Sequence, residues 1–300
     1  MKKSLLTILF FCSMLTTAWC QIRYKDTLFS DIQKRTFVYA DSLKLDFYDV
    51  KNDYATAKPL AILVHGGGFV AGQRDGGEEI GLSTALAKKG YAVASISYRL
   101  TMKGKSFGCD CPSSIKMKTY VDAVEDVFKA IYYLTTYASD FHIDPHKIIL
   151  IGSSAGAETI LNAIVMKDHY LFKPIVYANA QIIGGISFSG DTIDSDYLTK
   201  ENAVPMLFFH GALDDKVPYD VASHYYCQPD AKGYLILDGP LKITHRLKEL
   251  EASFCLYTDP DGGHEWAELG YGFTDIITDF MYEHIVLATK IQKIALISKP

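Results

Sequence analysis

Three short segments of the chain are almost continuously apolar: PLAILV at residues 59–64, KIILI at 147–151 and PMLFF at 205–209. A strand that is apolar at every position has both faces buried, which is typical of a parallel sheet covered by helices on both sides. Further segments of strand length recur at 91–99, 182–190 and 252–259. With helical patterns between them, this order predicts an α/β fold with a mostly parallel, doubly wound sheet and helices on both faces.

The remaining patterns complete that prediction. Residues 36–50 alternate apolar and polar side chains, which predicts an antiparallel strand at one edge, and 239–252 and 271–296 have helical spacing. Segments 100–118 and 219–240 fit neither period. Because ligands bind at the carboxyl ends of the strands in such sheets, we expect these two segments to form walls of a pocket.

The first 20 residues have the layout of a signal peptide. Lys2 and Lys3 precede an apolar run at residues 5–15, which is short for a membrane span of roughly 20 residues. We predict cleavage before Gln21 or after Ala18 and a secreted or periplasmic protein, with residues 21–300 forming one domain. A lipoprotein is disfavoured because bulky Trp19 precedes the cysteine.

Charge and cysteine content narrow the function classes. The net charge is −5, and loss of the two leader lysines takes it to −7, which gives no indication of nucleic-acid or anionic-membrane binding. Four cysteines remain after residue 20: Cys109, Cys111, Cys227 and Cys255. They allow three disulfide pairings that the sequence does not distinguish, and their spacing is not that of a zinc site.

The pentapeptide GSSAG at 152–156 matches the pattern G-x-S-x-G, in which a serine occupies a sharp turn between a strand and a helix. The middle position is Ser154, which we predict to be a nucleophile, and Ser153 is the variable neighbour. The preceding KIILI and the following AETILNAIVM supply the expected strand and helix.

A serine nucleophile needs a base and an acid, and in this arrangement they follow it in the order acid, then histidine. His264, directly after the strand segment 252–259, is the predicted base. Asp214 follows the strand at 204–211 and is the predicted acid, favoured over its neighbour Asp215, which is interpreted as a solvated turn residue. Other histidines fit less well: His142 and His146 precede the serine, His245 lies in a helical pattern, and His169, His224 and His284 lack a position at a strand end.

Donors for a developing oxyanion are predicted in HGGGF at 65–69, which follows the apolar strand PLAILV. Backbone without side chains can approach a substrate closely and direct N–H groups at it. We therefore predict an oxyanion hole formed by the amides of Gly67, Gly68 and Ala155.

Together these residues resemble the α/β-hydrolase superfamily, in particular its bacterial esterase/lipase branch related to hormone-sensitive lipase. The matching strings are HGGGF, SYRL at 97–100, IDPHKIILIGSSAG at 143–156, HGALDDKVPY at 210–219 and GGHEW at 262–266. The resemblance implies the α/β-hydrolase fold, Ser154, Asp214 and His264 as a catalytic triad, and His65 as a residue that organises the glycine loop. It implies no metal or other cofactor.

Two departures bear on the substrate. The chain has GSSAGA where the branch often has GDSAGG, and about 45 residues between the leader and HGGG leave little room for a cap domain. Exported relatives without a cap resemble acetyl- or feruloyl-esterases of plant polysaccharides. We therefore expect a carboxylesterase acting on short-acyl or aryl esters of small molecules or carbohydrates. An exported exopeptidase of the prolyl-oligopeptidase type and a non-catalytic binding protein of the same fold are the alternatives.

Overall fold

The computed structural model describes residues 22–173 and 180–299, so the predicted signal peptide lies outside the described residues. Within these ranges nine strands form one sheet and two form a small separate ribbon. In chain order they are β1 (Ile32–Ala40), β2 (Leu43–Val50), β3 (Lys58–Val64), β4 (Ala92–Ile96), β5 (Ile143–Ser153), β6 (Ile182–Phe188), β7 (Met206–Gly211), β8 (Val221–Ser223), β9 (Ile236–Asp238), β10 (Phe254–Asp259) and β11 (Gln292–Leu296).

The strand order in the main sheet is β1-β2-β4-β3-β5-β6-β7-β10-β11. The pairs β1–β2 and β2–β4 are antiparallel, and every other pair is parallel. The predicted mostly parallel sheet is therefore confirmed. Residues 36–50 do lie at the antiparallel edge, but they belong to two strands rather than one, because the chain reverses at Asp41, whose φ is 41°.

Helices cover both faces of the sheet. They are α1 (Gly77–Lys88), α2 (Ser113–Thr136), α3 (Ala138–Phe141), α4 (Ala155–Val165), α5 (Pro240–Glu249), α6 (Trp266–Leu269) and α7 (Thr274–Phe280). Alternate residues of the central strands enter separate cores. Leu60 and Ile62 of β3 pack with α2 and α4, whereas Ala61 and Leu63 pack with α1 and α7. Burial of both faces explains why residues 59–64 of β3 are all apolar.

The prediction of one helix over 271–296 is wrong in its last part. Helix α7 ends at Phe280, a π-helical turn follows to Val286, and Ala288 has a left-handed φ of 54°. The chain then forms β11, which pairs in parallel with β10. Pairing satisfies the backbone N–H and C=O groups along an edge of β10 that would otherwise lack partners in the sheet, and this outweighs the helical spacing.

Segments 100–118 and 219–240 are joined covalently. A disulfide links Cys109 to Cys227, so among the described residues one bridge forms and none of the three complete pairings does. Cys111 and Cys255 are buried free thiols. Within 219–240, β8 and β9 pair as an antiparallel ribbon. The disulfide therefore fixes this ribbon against the connection that follows β4.

Candidate active site

Ser154 lies at the turn between β5 and α4, with a φ of 47° and a ψ of −122°. This is a backbone conformation that non-glycine residues rarely adopt. The two flanking glycines are required by close packing. A Cβ on Gly152 would lie 2.4 Å from the Gly156 carbonyl oxygen, and one on Gly156 would lie 2.0 Å from that of Val64. The pattern G-x-S-x-G thus follows from the space between the nucleophile turn and the neighbouring strand β3.

A continuous pair of hydrogen bonds joins the three predicted triad residues. The Ser154 Oγ lies 2.8 Å from His264 Nε2, and His264 Nδ1 lies 2.8 Å from Asp214 Oδ2. With the proton on Nδ1, the imidazole donates to the carboxylate and its Nε2 accepts from the serine hydroxyl. This arrangement can transfer a proton away from Ser154, which is what a serine nucleophile requires.

Asp214 is buried, at 1% exposure, and its second oxygen is also bonded. Oδ1 accepts the backbone N–H groups of Lys216 and Val217, both at 2.9 Å. Burial acts to raise the pKa of Asp214, but the hydrogen bonds, that from His264 first, outweigh it and hold the pKa below its ordinary value. The side chain therefore remains a carboxylate at neutral pH. The neighbouring Asp215 is exposed and lines the cavity.

The loop that carries His264 is held to the loop that carries Asp214. Asp259 at the end of β10 accepts the indole N–H of Trp266 at 2.9 Å, which closes the loop around the histidine. The backbone N–H of Leu213 donates to the Gly262 carbonyl at 2.8 Å. These bonds fix the histidine and its carboxylate relative to each other.

The three predicted oxyanion donors lie on two neighbouring connections. Gly67 and Gly68 have φ values of 115° and 61°, which a glycine adopts without strain. Among the described residues, neither of their N–H groups has a hydrogen-bond acceptor. Ala155 is the first residue of α4, so its N–H has no partner within the helix. These donors are free to bind an oxygen beside Ser154.

His65 supports this loop. Its ring stacks on Tyr98 with centroids 4.6 Å apart, and its Nδ1 lies 2.8 Å from the Gly66 carbonyl oxygen. Burial lowers the pKa of His65 below its ordinary value, so the ring is neutral at physiological pH. A neutral, bonded and 2% exposed ring suits the organising role that the resemblance implies.

The sequence predicts that segment 100–118 lines the cavity. Instead, this segment packs against the glycine loop. None of its residues lines the cavity. Phe107 packs against Phe69 with centroids 4.8 Å apart and against His224 at 5.3 Å, and the Met102 N–H donates to the Phe69 carbonyl. The aromatic side chains thus couple the glycine loop to the ribbon of β8 and β9.

The cavity above Ser154 has a volume of about 1050 Å³. Tyr225 lines it from segment 219–240, and a second group of lining residues comes from α1 and the region of α6. In that group Glu79 accepts the Tyr271 hydroxyl at 3.0 Å, and burial raises the pKa of Glu79 above its ordinary value. Sequence reasoning missed both residues, because their helical spacing predicts core packing and nothing in it indicates a pocket.

Ser153 lines the same cavity but takes no part in the hydrogen bonds of the relay. Its Oγ donates to the Ala267 carbonyl of α6 at 2.7 Å, and the residue is 4% exposed. The two adjacent serines therefore differ in environment, one bonded to an imidazole beside a cavity and the other to a backbone carbonyl.

No group of three or more His, Cys, Asp or Glu side chains within the described ranges is arranged to hold a metal ion. In the same part of the chain, no helix is long and apolar enough to cross a membrane.

Comparisons with known proteins find esterases among the similar proteins. Residues 45–174 match the family model described as BD-FAE. An isoprenylcysteine alpha-carbonyl methylesterase of Arabidopsis thaliana is 29% identical over 163 residues, covering 54% of this chain and 34% of the plant protein. The fumonisin B1 esterase of Sphingopyxis macrogoltabida is 24% identical over 189 residues, covering 55% and 34%. The chain thus spans about a third of the length of these curated relatives.

Solved structures resemble most of the fold. The butyrate-bound form of a thermophilic esterase from the Planctomycetes species Thermogutta terrifontis superposes with a TM-score of 0.61 at 18% identity, covering 83% of this chain and 94% of that one. The same esterase phosphorylated by paraoxon gives a TM-score of 0.60 at 19% identity. At this level of identity the likeness establishes a shared fold.

Proposed function

We propose that the chain is a serine carboxylester hydrolase of the α/β-hydrolase superfamily. The observation that carries the proposal is the relay from Ser154 through His264 to Asp214, which opens on a cavity. The relatives that bear the name esterase support an ester as the scissile bond in preference to a peptide.

In the proposed reaction Ser154 attacks the ester carbonyl while His264 Nε2 takes the hydroxyl proton. The carbonyl oxygen becomes an oxyanion, which accepts hydrogen bonds from the amides of Gly67, Gly68 and Ala155. The tetrahedral intermediate collapses, and the alcohol leaves with the proton from His264. Water, deprotonated by the same imidazole, then attacks the acyl-enzyme and releases the acid.

We further propose that the substrates are short-acyl or aryl esters, including acetyl or feruloyl groups on polysaccharides, and that the protein is exported. An open cavity next to Ser154 suits a bulky alcohol such as a sugar. The disulfide between Cys109 and Cys227 supports an oxidising compartment. Cell fractionation and N-terminal sequencing of the mature protein test the export, with a start near Gln21 as the expected result.

The decisive test of the activity compares Ser154→Ala with Ser153→Ala. Hydrolysis of p-nitrophenyl acetate and labelling by a fluorophosphonate probe should both be lost in the first variant and retained in the second, with unchanged far-ultraviolet circular dichroism. Turnover by Ser154→Ala at the wild-type rate would end the proposal. An aminoacyl-nitroanilide assayed in parallel distinguishes an exopeptidase, and absence of labelling in the wild type would favour a binding protein.

A further inference from the structure

The residues between β8 and β9 include two adjacent tyrosines in a left-handed backbone conformation. Tyr225 has a φ of 57° and Tyr226 has a φ of 50°. Such strain in bulky residues persists only where the surroundings impose it, and it is concentrated at ligand-binding sites. Tyr225 is half-buried and lines the catalytic cavity, whereas Tyr226 is 46% exposed and does not line it.

Three anchors hold Tyr225 in place. The disulfide from Cys109 fixes Cys227, two residues farther along the chain. On the other side, His224 is 1% exposed, and its Nε2 lies 3.2 Å from the Glu158 carboxylate in the first turn of α4. The Tyr225 N–H itself donates to the Lys216 carbonyl at 2.8 Å. Tyr225 is thus positioned in part by α4, the helix that begins directly after Ser154.

A buried lysine lies next to the Tyr225 ring. Lys116 is fully buried, its Nζ donates to the Gly233 carbonyl at 2.9 Å, and it lies 5.8 Å from the centroid of the Tyr225 ring. A cation at this distance is attracted to the aromatic face. Among the described residues the Tyr225 hydroxyl has no hydrogen-bond partner, and burial raises its pKa to about 12, so it stays a donor at neutral pH.

The rest of the cavity wall indicates what this ring can bind. Leu213, one residue before Asp214, lines the same cavity and is 65% exposed, which is unusual for so large an apolar side chain. Carboxylates line other parts of the cavity, including those of Glu78 and Glu268. Tyr225 and Leu213 therefore provide an apolar surface in a cavity whose lining has more carboxylates than cations, Lys216 being the lysine among them.

We propose, on the basis of the esterase function above, that Tyr225 is a specificity-determining residue that receives an uncharged aromatic ring of the ester. The ring stacks against Tyr225 in the offset or edge-to-face geometry that aromatic pairs prefer, with Leu213 beside it. The free hydroxyl donates a hydrogen bond to a polar substituent of that ring. Ester substrates without a ring do not use this surface.

The test compares benzyl acetate and methyl benzoate, which carry the ring on opposite sides of the ester, with ethyl acetate, which has none. For Tyr225→Ala we expect kcat/KM to fall about tenfold for at least one ring-bearing ester, mainly through KM, and to change by less than about twofold for ethyl acetate. Tyr225→Phe should keep the preference for the ring. Leu213→Ala, at an exposed position that does not threaten folding, should reduce the preference to a lesser extent.

Tyr226→Ala is the matched control, because it removes a tyrosine from the same strained turn outside the cavity, and its kinetics should equal those of the wild type. The proposal would be overturned if Tyr225→Ala lowered kcat/KM equally for all three esters. It would also be overturned if the ratios of kcat/KM between the esters were unchanged in both Tyr225→Ala and Leu213→Ala. Either result would leave the esterase function standing. Absence of turnover of every ester by the wild type would instead refute the esterase function. Binding of benzyl acetate to Ser154→Ala, followed by calorimetry, measures the ring contact without turnover and should weaken about tenfold when Tyr225→Ala is added.

Discussion

Replacement of Asp214 by asparagine should reduce kcat severely without a large change in shape. The reason lies in the two sides of this carboxylate. Oδ1 accepts two backbone N–H groups, and Oδ2 accepts the His264 Nδ1–H. In Asp214→Asn the amide oxygen must remain with the two backbone donors. An NH₂ group in that position would leave the two backbone N–H groups and the NH₂ group itself without an acceptor.

The NH₂ group of the asparagine then faces His264 Nδ1, which becomes the acceptor, and the imidazole proton moves to Nε2. An Nε2 that already carries a proton cannot take one from Ser154. The loss expected from the wrong tautomer is on the order of 10⁴-fold in kcat, equivalent to about 5.5 kcal/mol of the activation barrier.

Single-turnover kinetics with p-nitrophenyl acetate measure this loss directly in the acylation step. Asp215→Asn is the matched control, because this neighbour is exposed and forms no hydrogen bond or ion pair with the imidazole among the described residues. It should retain kcat within about twofold. A kcat for Asp214→Asn above a tenth of the wild-type value, or an equal loss in Asp215→Asn, would refute the reasoning from the tautomer.

Three further predictions concern stability. Gly156→Ala should lower the free energy of unfolding in urea by about 1–3 kcal/mol or more, because its Cβ would meet the Val64 carbonyl at 2.0 Å. Gly81→Ala, on the open surface of α1, should raise the free energy of unfolding by about 0.5–1 kcal/mol. Equal effects of the two substitutions would contradict the packing argument. Burial raises the pKa of Glu79 in the folded protein. The residue therefore stabilises the fold below its unfolded pKa of about 4.3, and this contribution is lost as pH rises through the folded pKa. Glu79→Gln should accordingly be more stable than the wild type at pH 7 and no more stable near pH 4. Cys109→Ser should lower the free energy of unfolding by about 2–5 kcal/mol and add a free thiol that is detectable in the unfolded chain under non-reducing conditions. Cys111→Ser should leave the disulfide intact and remove one thiol.

The sequence predicts the central part of this fold well because local and global signals agree there. Continuous apolar runs identify β3, β5 and β7. Each run is followed by a glycine or a polar residue. The same agreement places Ser154, Asp214 and His264 at strand ends, which the fold brings within hydrogen-bond distance. Their catalytic roles stay predictions until the variants are tested.

The parts that the sequence does not predict depend on partners far along the chain. Residues 292–296 have a spacing compatible with a helix, and only the free edge of β10 selects a strand. Segment 100–118 carries no local sign that Phe107 packs under the glycine loop. The positions of Tyr225 and Glu79 in the cavity likewise depend on tertiary contacts, namely a disulfide and a helix on the other face of the sheet.

The bond between Trp266 and Asp259 also gives the molecule an optical reporter. The chain has two tryptophans, and Trp19 belongs to the segment predicted to be removed on export. In the mature protein, emission on selective indole excitation would therefore come from one fully buried ring, two residues from His264. A shift of that emission to longer wavelength during denaturation would record hydration of the histidine loop alone. Compared with circular dichroism of the whole chain, it would show whether the active site opens before the sheet does.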